Sequence, residues 1–156
     1  MEGNSWLKMR IAAYLFLMGL KRRTTLGARV ALIDEEDRVY LIRHTYAPGW
    51  HFPGGGVEPG ESSEFAAGRE LGEESAYRLI GRPTLFGLYH NVNVTNRDYV
   101  SLYVSRSFEQ ARHFAPNLEI AEFGWFAWRD IPSDAAASTR RRIAELFEGA
   151  EKAEHW

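Results

Sequence analysis

The chain of 156 residues contains no cysteine. This absence excludes disulfide bonds, zinc sites built from thiolates and thiol nucleophiles. The sequence also lacks an excess of charge of one sign, because 19 basic and 21 acidic residues leave a net charge of -2. Such a balance produces no long-range field that would attract nucleic acid or an anionic membrane. We therefore expect no nucleic-acid partner, and an anionic substrate would need local help such as a metal ion.

The apolar run near the amino terminus is too short to span a bilayer. Residues 11–20 (IAAYLFLMGL) are apolar, but about 20 apolar residues are needed to cross the hydrocarbon core. A secretory signal is also disfavoured, because basic residues follow this run where small cleavage-site residues would stand. We predict that residues 1–24 form an N-terminal helical extension, which packs on the domain or on a second subunit of a homodimer. Interfacial membrane contact is the less favoured alternative, and the lack of an export signal predicts a cytoplasmic protein.

The rest of the chain has the size of one domain and mixes strand and helix patterns. Residues 25–33 (TLGARVALI) and 39–43 (VYLIR) are predicted to form a hairpin around an acidic turn. Further strands are predicted at residues 50–52, 84–90, 99–106 and 123–128, and helices at residues 62–79 and 138–150. This order predicts the α/β class, with one domain over residues 25–152 in which a mixed sheet lies between helices on both sides.

The predicted helix at residues 62–79 has two contrasting sides. On a helical wheel, small and apolar residues share one side: Phe65, Gly68, Gly72, Ala76 and Leu79. We expect this side to pack closely against the domain, whereas the opposite side carries Glu70, Glu73 and Glu74. Neighbouring carboxylates repel one another, and a hard divalent cation such as Mg²⁺ or Mn²⁺ prefers these oxygen ligands. Arg69 stands four residues before Glu73 and is predicted to pair with it.

Three glycines at residues 54–56 precede this helix. Without side chains, they can bring backbone carbonyls close to a metal ion and backbone amides close to a phosphate. We therefore predict that the glycine loop and the acidic side of the helix form one site.

The spacing of this whole segment resembles the signature of the Nudix hydrolases. It consists of Gly55, five residues, Glu61, seven residues, Arg69-Glu70-Leu71, one residue, Glu73-Glu74, one residue and Ala76-Tyr77. The one departure is Ala76, where the family pattern has glycine, and alanine still suits a closely packed helix. The surrounding order is also similar to a Nudix domain: GWHFPGGG leads into the signature, and an aromatic strand (FGWFAW) and a final helix follow it. The resemblance implies the Nudix fold, an α/β/α sandwich.

The resemblance also implies a chemistry, namely hydrolysis of a nucleoside diphosphate linked to another group. Such substrates include nucleoside triphosphates, ADP-ribose and nucleotide sugars, and the expected cofactor is Mg²⁺ or Mn²⁺. The implied metal ligands are the backbone carbonyl of Gly55 and the carboxylates of Glu70, Glu73 and Glu74, with Arg69 as an orienting residue. The alternative function is a nucleotide-sensing or membrane-docked module with little catalysis.

The general base is open at this stage. It is one of the three helix carboxylates, or it comes from a loop outside the signature, where Glu119 and Glu122 are the candidates. We favour Glu122 of these two, because it stands just before the aromatic strand.

Substrate contacts are predicted in the aromatic loop that precedes the glycines. Tyr46 or Trp50 could stack on a base, and Arg43 could contact a phosphate. His51 alternates with Trp50 and Phe52 in a short strand, so one of these sets faces the cleft and the other faces the core. The expected partner is a small nucleotide, since WHFPGGG lacks the glutamine that RNA 5′-pyrophosphohydrolases carry at this place.

Overall fold

A computed structural model describes residues 24–93 and 95–156. The extension predicted for residues 1–24 therefore lies outside the described residues, except for Thr24. Neither described helix is long and apolar enough to cross a membrane. The elements of the described chain are β1 (Thr25–Leu32), β2 (Arg38–His44), β3 (Gly54–Gly56), α1 (Ser63–Glu74), β4 (Tyr77–Leu79), β5 (Thr84–His90), β6 (Asp98–Ser105), β7 (Phe108–Gln110), β8 (Ile120–Ala127) and α2 (Ala137–Phe147).

The central sheet has four strands in the order β3-β1-β6-β5. Strands β1 and β6 run parallel, with Thr25 opposite Asp98 and Leu32 opposite Ser105. Strands β3 and β5 pair antiparallel with their neighbours, so the sheet is mixed, as predicted. Alternate residues of β1 enter different cores: Val30 belongs to one and Ala31 to the other. Both faces of β1 are thus covered, which explains why its sequence is apolar almost throughout.

The predicted hairpin between residues 25–33 and 39–43 is wrong. The acidic turn does reverse the chain, with Asp37 at a φ of 57°, but β1 and β2 are joined only by a bridge between Ile33 and Val39. A strand has two edges, and those of β1 are taken by β3 and β6. Strand β2 pairs instead with β8, placing Arg43 opposite Glu122, and β4 pairs with β7.

Helix α1 is shorter than predicted. The Ser62 hydroxyl caps its start by accepting a hydrogen bond from the Phe65 amide at 3.1 Å. Its end is set by Ser75, whose hydroxyl donates to the Leu71 carbonyl at 2.6 Å and accepts from the Tyr77 amide at 3.0 Å. Because this side chain competes for backbone groups, the helix ends at Glu74 and residues 77–79 become strand β4.

The orientation of α1 is the reverse of the prediction, although Ala76 and Leu79, which lie beyond the end of the helix, do pack at the first core as expected. Phe65 is 64% exposed, and a side chain at Gly72 would meet open space. The buried residues of α1 lie on the acidic side: Ala66, Ala67, Leu71 and Glu74. The physical reason is that this side also carries the best apolar contacts, so the carboxylates are drawn inward with them.

The molecule is an α/β/α sandwich, as predicted. Helix α1 packs into one hydrophobic core, through Ala66, Ala67 and Leu71, together with Val30 and Ile42. Helix α2 packs into the second core, where Ile143 joins residues of both β1 and β2. The predicted helix at residues 138–150 is observed at Ala137–Phe147.

A buried ion pair anchors α2 and the segment that follows it. The Arg142 guanidinium donates to Glu145 Oε1 at 2.6 Å, and the Tyr89 hydroxyl donates to Glu145 Oε2 at 2.8 Å. Arg142 also donates to the His155 carbonyl at 3.1 Å, and the Trp156 amide donates to the His90 carbonyl at 2.9 Å. The last residues are thereby held against β5.

Candidate active site

The glycines of β3 bring backbone atoms up to the carboxylates of α1. Gly54 has a φ of 148°, and a Cβ atom there would lie 2.1 Å from the Ala28 carbonyl oxygen, so only glycine fits. Its amide donates to Glu74 Oε2 at 2.7 Å. A Cβ atom on Gly55 would lie 2.6 Å from Glu70 Oε2. The loop therefore positions two of the predicted ligands through contacts that a side chain would block.

Arg69 braces the same group of acids. Its guanidinium lies 2.8 Å from Glu61 Oε1, 2.7 Å from Glu70 Oε1 and 3.4 Å from Glu73 Oε2. A further bond of 3.1 Å reaches the Gly56 carbonyl. The predicted contact with Glu73 is the longest of these ion pairs, so Arg69 chiefly pairs with Glu61, through two bonds, and with Glu70. The Glu73 side chain is 59% exposed, unlike the other two helix acids.

Outside the signature, His44 and Glu119 join Glu74 in a compact cluster. One ligand atom from each of the three lies within 4.8 Å of the others. His44 Nε2 is 3.6 Å from Glu74 Oε1. Strand β2 supplies His44, and the loop before β8 supplies Glu119, which is fixed by a bond from the Thr45 amide to its carbonyl at 2.8 Å. Pairing of β2 with β8 thus brings His44 and Glu119 next to Glu74 of α1.

Electrostatics in this cluster favour a bound cation. Burial raises the pKa of the Glu74 carboxyl to about 8, and burial lowers the pKa of the His44 imidazole to about 4. Burial also raises the pKa of Glu70, and the charge of Glu119 adds to that effect. His44 Nδ1 has no hydrogen-bond partner among the described residues. A divalent cation would offset the burial of the carboxylates and use oxygen and imidazole donors, so the donor set fits such an ion.

Arg29 is a cation beside these acids. It lies in the middle of β1, and its Nη1 donates to the Phe52 carbonyl at 2.6 Å. Burial lowers its pKa, while the negative charges of Glu74 and Glu70 oppose that shift. A guanidinium at this place can contact an anionic oxygen that approaches the carboxylates.

Two cavities lie near the cluster. The first, which we name the β2–β8 pocket, has a volume of about 620 Å³ and is lined by residues that include Arg43, His44, Tyr46, Glu122 and Asp134. The second, the β1–β3 pocket, has a volume of about 280 Å³ and is lined by residues that include Arg29, Gly55, Asn91, Asp98 and Trp156. His44 links the first pocket to the cluster, and Arg29 and Gly55 link the second.

Arg43, Tyr46 and Glu122 meet in the β2–β8 pocket. Arg43 forms an ion pair with Asp134, and its Nε lies 3.8 Å from Glu122 Oε2. Tyr46 is 70% exposed and stacks on His44, with 4.8 Å between ring centroids. Glu122 therefore faces Arg43 in the pocket, whereas Glu119 is the acid that lies in the cluster.

Trp50 and His51 point to different places. Trp50 is 6% exposed and packs edge-on against Phe126 in the second core, next to the fully buried Phe52. The His51 ring lies 5.9 Å from that of His44 and bonds the Pro48 carbonyl at 2.8 Å. The set that faces the core is thus Trp50 and Phe52, and Trp50 is a packing residue in this structure.

Sequence reasoning missed Arg29 and His44. Both belong to strands and reach the acids only through the pairing of elements far apart in the chain. The available signal was their charge or polarity within otherwise apolar runs, GARVALI and VYLIRH.

Comparisons with known proteins identify the family of this chain. A family model described as NUDIX domain matches residues 23–147. A protein of Bacillus subtilis (strain 168), whose name assigns it provisionally to the 8-oxo-dGTP diphosphatases, is 28% identical over 127 residues, covering 81% of this chain and 83% of the relative. An RNA pyrophosphohydrolase of Caulobacter vibrioides is 48% identical over 59 residues, but this match covers only 34% of either chain.

Among solved structures, the MutT NUDIX hydrolase of Burkholderia pseudomallei superimposes with a TM-score of 0.69 at 26% identity. The match covers 79% of this chain and 98% of that one. The family match spans both helices and every strand of the fold, including the glycine loop and the carboxylates of α1. This chain belongs to the Nudix hydrolase family.

Proposed function

We propose that this Nudix hydrolase is a metal-dependent pyrophosphohydrolase that cleaves a small nucleotide derivative between two phosphates. One observation carries the proposal: Glu74 of α1 converges with His44 and Glu119, the charge of Glu70 acts on both acids, and two cavities lie nearby. Three carboxylates in such a place are costly to keep close together unless a cation binds them.

Glu70, Glu74 and the Gly55 carbonyl would hold the first cation, and His44 would complete its protein ligands. The more exposed Glu73 would serve a further ion. The preponderance of oxygen donors favours Mg²⁺ or Mn²⁺. When bound, these ions neutralise charge on the phosphate oxygens and make water a stronger nucleophile.

Other side chains of the protein have the remaining roles in catalysis and binding. Glu119 is the best placed general base, because it lies in the cluster and is exposed, whereas Glu122 is engaged by Arg43. Arg69 holds Glu70 in place, and Arg29 would bind a phosphate oxygen from the β1 side.

The two pockets favour a substrate with a group on each side of its diphosphate. Tyr46 offers an exposed ring and Arg43 a cation in the β2–β8 pocket, while Asn91 and Asp98 offer polar contacts in the β1–β3 pocket. ADP-ribose and nucleotide sugars have two such groups, whereas a nucleoside triphosphate fills only one pocket. RNA is disfavoured, since the net charge of -2 provides no basic track.

The test is phosphate-coupled hydrolysis of ADP-ribose, nucleotide sugars, dinucleoside polyphosphates and nucleoside triphosphates with Mg²⁺ and then Mn²⁺. We expect Glu74→Gln to lower kcat at least about 100-fold, since loss of even an outer partner of a metal ligand costs about 10- to 100-fold. Glu148→Gln, at an exposed position after α2, is the matched control and should not change kcat. Unchanged turnover by Glu74→Gln would refute the mechanism, and tight nucleotide binding without turnover would favour the sensing module.

A further inference from the structure

An apolar groove lies on the α1 side of the central sheet, apart from the active site. It has a volume of about 380 Å³ and is lined by Thr24, Thr25, Leu26, Ser63, Leu85, Leu88, Tyr99 and Ser101. Leu85 and Leu88 are 54% and 59% exposed. Two half-exposed leucines in one groove form an exposed apolar patch, a feature typical of surfaces that pack against another apolar group.

The groove exists because α1 does not reach across the whole sheet. The helix begins at Ser63, whose hydroxyl bonds the Tyr103 hydroxyl at 2.6 Å, and strand β5 lies beyond it at the edge of the sheet. No described element covers that part of β5 on this face.

A β-bulge in β5 places both leucines on the same face. Residues three apart in a regular strand point to opposite faces, but the pairing of β5 with β6 shifts register between Leu85 and Gly87. Leu85 is therefore opposite Tyr103, and Leu88 is opposite Ser101, two residues that share a face of β6. The local irregularity builds the apolar surface.

We propose that residues 11–20 of the same chain (IAAYLFLMGL) dock in this groove. Thr24, the first described residue, lines the groove. The four residues from position 20 to position 24 can span at most about 14 Å, because an extended chain covers roughly 3.5 Å per residue. The apolar run is thus tethered close to an apolar groove that no described element covers.

The tether favours this occupant over a second copy of the chain. A short link gives the segment an effective concentration near millimolar at the groove. A second molecule would lose overall translational and rotational freedom on binding, and the linked segment has already lost most of it. The inference does not depend on the hydrolytic function.

The chain's lack of cysteine makes a direct test available. Leu88→Cys introduces a single thiol in the groove, and Leu118→Cys introduces a matched thiol on an exposed loop, where the leucine is 98% exposed. Each is made in the full chain and in a full chain that also carries Leu15→Ser, Phe16→Ser and Leu17→Ser. The rate of alkylation by a maleimide is then measured, with circular dichroism to verify folding.

We expect Leu88→Cys to react at least about 10-fold more slowly when residues 15–17 are apolar, since reaction requires local opening of the docked segment. Leu118→Cys should react equally in both backgrounds, and protection of Leu88→Cys should not vary with protein concentration. Equal rates at Leu88→Cys would overturn the proposal. Protection that grows with protein concentration would assign the groove to a second copy, and protection seen only with phosphatidylserine vesicles would assign it to lipid. If Leu88→Cys disturbs folding, Leu85→Cys is the second reporter.

Discussion

Gly54 and Gly55 shape the active site because they have no side chains. The Gly54 amide bonds Glu74 at 2.7 Å, and the Glu70 carboxylate occupies the space of a Cβ atom on Gly55. The second contact is the more informative, because Gly55 has no left-handed backbone that would itself demand glycine. Its requirement for glycine arises from the carboxylate.

Gly55→Ala should therefore impair the metal site more than the fold. The added methyl would displace Glu70, and we expect affinity for Mg²⁺ or Mn²⁺ to fall about 10- to 100-fold, as for other losses of ligand orientation. Isothermal titration calorimetry measures this directly.

The control is Gly72→Ala on the open side of α1, where an added methyl has no neighbour within 4 Å. This change should leave metal affinity intact and raise the free energy of unfolding by about 1 kcal/mol, since alanine is the better helix former. Wild-type metal affinity in Gly55→Ala would show that Glu70 is not a ligand or can relocate without cost.

Single residues also show how far the sequence predicts a site. Gly55, Glu70 and Glu74 lie in one contiguous motif, and the structure places them together. Arg29 and His44 lie near them because of strand pairing, which no local sequence pattern predicts. The sequence favours Glu122 over Glu119 as the general base, and that choice stays a prediction; the sequence does not reveal the register shift in the β2–β8 ladder at residues 43 and 44, which determines the neighbours of His44.

Helix α2 carries its own polar centre. Arg142 is fully buried, stacks on the Tyr89 ring at 3.9 Å, and pairs with Glu145, which also accepts a bond from the Ala153 amide at 2.9 Å. The helix, β5 and the final residues are all joined through this pair.

Glu145→Gln should destabilise the protein strongly, because it leaves the guanidinium of Arg142 buried without a countercharge. We expect a loss of about 3 kcal/mol in the free energy of unfolding, within the range for breaking a buried pair. Urea denaturation measures it. Glu148→Gln, exposed after the same helix, should stay within about 0.5 kcal/mol of wild type, and a similarly small effect of Glu145→Gln would mean that Arg142 finds other partners.

At the scale of elements, periodicity predicted strands and helices better than it predicted their orientation. The wheel grouped the residues of α1 correctly, but glycines alone do not indicate a buried side when Ala66, Ala67 and Leu71 lie on the other. The hairpin failed for a similar reason, since the turn is local and the choice of partner strand depends on the whole sheet.

For the whole molecule, metal binding should couple to stability. A cation that binds only the folded state stabilises by mass action, by about 2.7 kcal/mol at 100 times its Kd. We expect Mg²⁺ or Mn²⁺ to raise the Tm in calorimetry and a chelator to reverse the rise. Glu74→Gln should abolish most of this rise in Tm. An equal rise in that variant would show that the metal binds elsewhere.

The parallel pairing of β1 with β6 also determines when the chain can fold. Thr25 and Asp98 are 73 positions apart, so a ribosome that has made β1 must still make β6 before the centre of the sheet can close. Such non-local pairing slows folding, and the apolar strand β1 stays without its parallel partner while the intervening residues and β6 are made. The nascent chain should therefore be a better client for chaperones than the finished protein.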